Sequence, residues 1–256
     1  MTVLYEVLEG RATITIHDPD RHNPMSVETM AGLAEATGRA VDDSEVKVIV
    51  YTGTGNRSFS AGGDLSSSFA DDPIGLHNAR GSLGNLFRLM IRGGKPTVAR
   101  VNGHALAGGF GLAVACDITV CVEGVKLGTP ELRVGLWPMV ISALLVRAMP
   151  RKAAMELMLT GRTIDPAEAQ RLGAVTRVVT REALDGAVDE VVEGLLSSSP
   201  AILMLGKDSF EGMADAGLDT ALDRLAGGFT EAAMTNDAAE GLDAFLSKRD
   251  PDWSGT

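Results

Sequence analysis

The chain has 256 residues, 45% hydrophobic and 22% charged, a globular composition long enough to bury a sizeable core. Its 34 acidic residues outnumber 23 basic ones for a net charge of −11, and with aromatics at 4% and no Lys/Arg cluster this argues against a nucleic-acid partner. Cys116 and Cys121, with no histidine nearby, fit neither a zinc site nor a disulfide framework and read as small buried hydrophobes in a reducing compartment.

The opening MTVLYEVLEG lacks the basic and apolar regions of a signal peptide, and no apolar run approaches the ~18 residues of a membrane span, so a soluble cytoplasmic protein with no membrane partner is expected. Tyr5–Leu8 and Ala12–His17 flank Glu9-Gly10 as a hairpin, with Ile14 and Ile16 facing one way and Thr13 and Thr15 the other. Ser26-Val27-Glu28-Thr29 opens a helix towards Asp42, and KVIVY at 47–51 is a buried strand. The turn-rich TGTGNRSFSAGGDL covers 52–65, followed by a loop or short helix with Asp71, Asp72, Pro73 and Gly75. Residues 79–92 read as helix, and Thr97–Val101 as a strand closed by the tight-turn pair Asn102-Gly103.

A glycine-rich helix start, AGGFG at 107–111, precedes a strand at Ile118–Val122 and helices at 139–149 and 151–160. Asp165-Pro166-Ala167-Glu168 carries three helix-start cues, an Asp cap, Pro at N1 and Glu at N3. Gly173 ends that helix, Val175–Val179 is the last strand, and the remainder is helical with breaks near Ser199-Pro200 and Gly227-Gly228. Interleaved strands and helices followed by helices alone give an α/β core with a helical C-terminal region, divided as 1–197 and 198–256.

Two glycine segments, SAGGDL at 60–65 and ALAGGFG at 105–111, each follow a strand. Neither spells a phosphate loop or a G-x-G-x-x-G fingerprint. Free N–H groups at a helix start carry the positive end of the dipole, and glycine lets a ligand approach them closely. Two such amides could hold an oxyanion. Tight packing of helix on strand explains the glycines equally well at this level, and both readings stay open.

Six collinear blocks make the sequence resemble the enoyl-CoA hydratase/isomerase (crotonase) family. They are Asn23 after Arg21-His22, KVIVYTGTGNRSFSAGGDL, KPTVARVNGHALAGGFGLAVACDI, GTPELRVGLWP, MLTGRTIDPAEAQRLGAVTRVV and EGLDAFLSKRDPDW. The resemblance implies a spiral of ββα units whose C-terminal helices build trimers, often paired into hexamers. It implies a CoA thioester substrate, a place in fatty acid metabolism, and no metal or redox cofactor. It makes the backbone amides of Gly63 and Gly108 the oxyanion donors. Ala61, Gly62, Leu65 and Gly109 complete those loops as substrate-binding positions.

The resemblance also has a gap. Where two-glutamate hydratases of the family carry their first glutamate, this chain has Gly111. The second is present as Glu131, in Thr129-Pro130-Glu131-Leu132. A carboxyl among apolar groups has a raised pKa, which suits proton transfer near neutrality, and a first-turn glutamate on a helix dipole is the structural alternative. One carboxylate suffices for double-bond migration, while hydration in the family ordinarily uses two. The implied activity is enoyl-CoA isomerisation or hydration. Other CoA-thioester chemistry, such as hydrolysis or retro-condensation, and a non-catalytic acyl-CoA binding module are the alternatives.

Trp137, Met139 and Val140 either reshape the acyl pocket or pack in the core. Arg21 matches a position that can reach CoA phosphates or is simply solvated. Asp64 caps its loop or contacts substrate. His17, His22, His77 and His104 are not expected to do acid–base work.

Overall fold

The computed structural model describes the backbone of residues 1–64 and 73–256, and side chains outside 65–80. Leu65, Asp71 and Asp72 therefore lie outside the described residues, as does the side chain of His77.

Strands β1 (Val3–Leu8) and β2 (Arg11–Ile16) form the expected hairpin, with Leu8 opposite Arg11. Its two-residue turn needs positive φ at both positions, and Glu9 and Gly10 supply φ of 48° and 82°. Ala12, Ile14 and Ile16 are buried, as the alternation required.

A spiral follows. Each turn lays one strand in a large sheet and one or more in a small one, then a helix. The first turn contains β3 (Pro24–Met25), α1 (Val27–Asp42), β4 (Val48–Gly53), β5 (Ser58–Ser60), β6 (Gly62–Gly63) and α2 (Pro73–Arg92). The second contains β7 (Thr97–Val101), β8 (His104–Leu106) and α3 (Gly108–Ala115). The third contains β9 (Ile118–Val122), β10 (Leu127–Gly128), a 3-10 turn at Pro130–Val134, and α4 (Met139–Ala148). The large sheet runs β1-β2-β4-β7-β9-β12, closed by β12 (Arg177–Val179), and is parallel beyond the first hairpin. Its strand β4 is buried along its length, as a central parallel strand should be. The small sheet runs β11-β10-β8-β5, where β11 is Thr163–Ile164, and β3 pairs with β6 in a third, two-stranded sheet.

Helices α5 (Arg151–Thr160) and α6 (Pro166–Arg171) lie between β10 and β12. Asp165 caps α6 by accepting a hydrogen bond from the Glu168 amide at 2.7 Å, as its sequence cues required. Helix α7 (Leu184–Leu196) buries Leu184, Val188, Val191 and Val192 against the sheet. Helices α8 (Pro200–Met213), α9 (Leu218–Ala233) and α10 (Asn236–Ser247) bury far less and expose Phe210, Phe229 and Phe245.

Four expectations need correction. Helix α2 begins at Pro73, not near 79, because Pro suits the first helical position. The 52–65 segment is not all turn: β5 and β6 lie within it. Asn102-Gly103 is a crossover and not a closed tight turn, because the chain there leaves one sheet for the other. The buried Asn102 amide donates to the carbonyls of Gly53 (2.7 Å) and Gly55 (2.6 Å), tying the end of β7 to the end of its neighbour β4 where both strands leave the large sheet. Gly227-Gly228 does not break the last helices, since α9 runs through it. A Cβ on Gly228 would lie 2.9 Å from Ser209 Oγ, so the glycine serves the close crossing of α8 and α9.

Among the described residues no helix is long and apolar enough to cross a membrane. Cys116 and Cys121 are buried free thiols, and burial pushes Cys121 up to about 12.

Candidate active site

The small sheet draws the two glycine loops together, because β5 lies parallel to β8 with Ser60 beside Ala105. The loops continue from these strands and touch. A Cβ on Gly62 would lie 2.5 Å from the Ala107 Cβ and 3.2 Å from the Gly108 amide nitrogen, so only glycine permits this approach. Gly62 also has φ +86°, open to glycine and strained for other residues. A Cβ on Gly109 would lie 2.5 Å from the Ser60 carbonyl oxygen. Gly62 and Gly109 thus sit behind the surface and hold the loops in contact.

In front of them lies a cavity of about 670 Å³. Ala61, Gly63, Asp64, Gly108, Glu131, Trp137 and Met139 line it, so seven of the positions singled out in the sequence converge on one space. Met25, Met30, Leu83, Leu136, Val140 and Ile141 make most of the rest apolar. A Cβ on Gly63 would meet nothing within 4 Å. Gly108 opens α3, where first-turn amides have no intrahelical acceptor. The N-cap Ala107 holds φ 51° and ψ −126°, a conformation costly for a residue with a Cβ. Its strain sits at the junction of the loops, where such outliers cluster in functional sites.

Glu131 occupies the first turn after Pro130, a residue suited to that position. Its Oε2 is buried and has no hydrogen-bond partner among the described residues. Burial pushes its carboxyl above the usual range, opposed in part by a backbone hydrogen bond. Asp64, the other acid of the lining, meets Arg21 at 3.0 Å. Arg21 also meets Asp18 at 2.7 Å and stands off the cavity lining, holding the first loop to the segment before α1. Met139 is 72% exposed at the mouth, so it is no core residue, while Trp137 and Val140 both pack on the core and face the cavity.

His17, His22 and His104 stand off the lining. The Nδ1 of His104 accepts from the Lys126 amide at 2.9 Å, a structural role. Among the described residues no group of His, Cys, Asp and Glu could hold a metal ion.

Three contributors had no role assigned by the sequence. Asn23 is buried in a left-handed conformation with φ 55°. Its side-chain amide donates to the carbonyls of Thr54 (3.0 Å) and Ser58 (2.8 Å), fixing the approach to β3. Ile141 fills the space above Gly111: a Cβ there would lie 2.2 Å from Ile141 Cγ2. Arg133 adds the one cation among the described lining residues.

The sequence matches the family described as enoyl-CoA hydratase/isomerase over residues 6–256. A Thermus thermophilus protein bearing an enoyl-CoA hydratase name is 38% identical over 94% of this chain and 96% of its own. Carnitinyl-CoA dehydratase of Citrobacter koseri is 31% identical over 94% of each. The crystal structure of human enoyl Coenzyme A hydratase domain-containing protein 3 superposes with a TM-score of 0.95 at 28% identity, over 99% of this chain and 100% of that one. Sequence match, relatives and fold agree, and the chain belongs to the enoyl-CoA hydratase/isomerase family.

Proposed function

We propose that Glu131 is the single acid/base of an enoyl-CoA isomerase or hydratase, working beneath a thioester whose oxygen is held by the amides of Gly63 and Gly108. The observation that carries this reading is the buried, unpartnered Glu131 Oε2 in a cavity that both glycines line. A buried carboxylate oxygen without a partner is costly in such a place unless function retains it. Two amides aimed at one oxygen stabilise charge as it develops, typically by about 3–4 kcal/mol for each donor.

Double-bond migration fits this site best. Glu131 takes a proton from the carbon between the thioester and a 3,4 double bond. The electron pair moves onto the thioester oxygen as a dienolate held by the amides. Glu131 then returns the proton to the far carbon, leaving the conjugated 2-enoyl ester with no net change in atoms. The nearest atoms to a Cβ at Gly111, from Ile141 and Phe87, are apolar and offer no group to orient a water, which supports this choice. Hydration is the second reading, and the names of the relatives, a hydratase and a dehydratase, favour it.

Product analysis separates the two. Purified protein is incubated with 3-enoyl-CoA and with trans-2-enoyl-CoA of several chain lengths. The expected result is conversion of the 3-enoyl to the 2-enoyl ester without water addition. A 3-hydroxyacyl product from the 2-enoyl ester makes the protein a hydratase. Exposed apolar residues such as Leu218, Phe229 and Phe245 further support assembly into a homotrimer or hexamer. A solution mass of one chain would contradict that assembly.

A further inference from the structure

Met25 touches both halves of the proposed amide pair. Its backbone stands beside Gly63 in the parallel pairing of β3 with β6. Its thioether reaches the other loop: a Cβ on Gly108 would lie 3.1 Å from Met25 Sδ. A side chain at Gly108 would press on the sulfur and require it to give by a few tenths of an ångström. Met25 is 2% exposed and lines the cavity. It is therefore a single side chain wedged between the two loops, at the floor where a thioester oxygen would sit.

We infer that Met25 is a positioning residue: its side chain sets the separation of the Gly63 and Gly108 amides and keeps water from reaching them. The inference rests on the reading of those two glycines as donors. Its physical basis is that preorganised amides stabilise charge without reorganising and act more strongly when water is excluded. The anchor behind Met25 is rigid. Asn23 is pinned by its three side-chain hydrogen bonds, to the amide of Asp18 and the carbonyls of Thr54 and Ser58. The Ala61 amide donates to the His22 carbonyl at 3.0 Å. Shortening the Met25 side chain leaves this anchor in place and removes only the wedge.

The experiment reads the amides directly and needs no turnover. A saturated short-chain acyl-CoA with a ¹³C thioester carbonyl is bound to the parent, Met25→Ala and Met25→Leu, and its carbonyl stretch is recorded by isotope-edited infrared spectroscopy. In the parent the stretch falls relative to free ligand. Met25→Ala is expected to lose about half or more of that fall, and Met25→Leu, close in volume, to keep it. In turnover, Met25→Ala lowers kcat on the order of 10- to 100-fold, as misplaced groups do, with KM within about twofold of the parent. Thermal melts identify folded protein; where Met25→Ala is too unstable, Met25→Val, which also shortens the wedge, carries the comparison, and a parental carbonyl shift there likewise overturns the inference. Equal carbonyl shifts in the parent and Met25→Ala overturn the inference. A parent that binds the ester with no shift overturns the donor reading itself, a distinct failure that removes the inference as well.

Discussion

Asp237 and Glu131 each bury a carboxylate oxygen, and the two are treated in opposite ways. Asp237, at the start of α10, is 1% exposed and fully engaged. Its oxygens accept hydrogen bonds from Ser199 Oγ (2.6 Å), the Ser254 amide (2.7 Å) and hydroxyl (2.8 Å), and the Gly255 amide (3.1 Å). Burial pushes its pKa up, but those donors outweigh burial and hold it below the usual range. Glu131, in the cavity, has one buried oxygen with no hydrogen-bond partner among the described residues, and burial, opposed only in part by a backbone hydrogen bond, holds it above the usual range. Shielding alone does not distinguish them. The donors do: Asp237 is fixed as an anion that ties α8 and α10 to the segment at 254–255, while Glu131 lacks such donors among the described residues, as the proposed proton transfer requires.

Substitutions that remove the charge should separate these roles. The largest effect is on rate. Glu131→Gln is expected to lower turnover by about 10²- to 10⁴-fold, the usual contribution of a general acid/base, with acyl-CoA binding retained. Asp237→Asn should do the reverse. It leaves turnover per folded molecule unchanged but turns one carboxylate oxygen into a donor facing donors. A cost of about 2–3 kcal/mol follows, seen as a fall in melting midpoint of roughly 5–10 °C.

A smaller effect comes from the packing that makes the cavity wall apolar. Gly111→Ala gains helix propensity but drives a Cβ into Ile141, for a net loss of about 1–2 kcal/mol. Adding Ile141→Leu, which removes the offending Cγ2, should restore part of that loss, and additive denaturation midpoints would contradict the coupling.

The subtlest expected effects are in pH. Glu131 must be ionised to accept a proton, so kcat/KM should rise with pH through its raised pKa, with a limb above the ordinary glutamate value of 4.5. The folded protein holds that proton more tightly than the unfolded chain does. The associated stability is therefore present below the unfolded pKa and lost as pH rises through the folded one. Glu131→Gln should then melt higher than the parent at pH 8 and show little gain at pH 4. Asp237 has the opposite sign: its contribution is present above the ordinary aspartate value of 3.8 and lost as pH falls through its depressed pKa.

The sequence made part of this arrangement legible. Local signals held where the physics was local: the Glu9-Gly10 turn, the Ser26 and Asp165 caps, and the alternation of β2. The family blocks pointed to Gly63, Gly108 and Glu131, which line one cavity although they lie far apart in the chain. What could not be read depends on distant partners. Gly228 resembles a helix break until α8 is seen to cross it at Ser209. Gly111 reads as a missing charge until Ile141 is seen above it, and Asn23 only as part of a family block until its amide is found between Thr54 and Ser58. The glycines proved to divide by role, since Gly62 and Gly109 hold the loops together while Gly63 and Gly108 face the cavity.

The central claim is that Glu131 moves a proton on the carbon beside a thioester. The most direct measurement is uptake of deuterium from D₂O at that carbon of a bound acyl-CoA, followed by mass spectrometry for the parent and Glu131→Gln. The account predicts exchange in the parent and a loss of about 100-fold or more in the variant. Exchange at the parental rate in Glu131→Gln would contradict it.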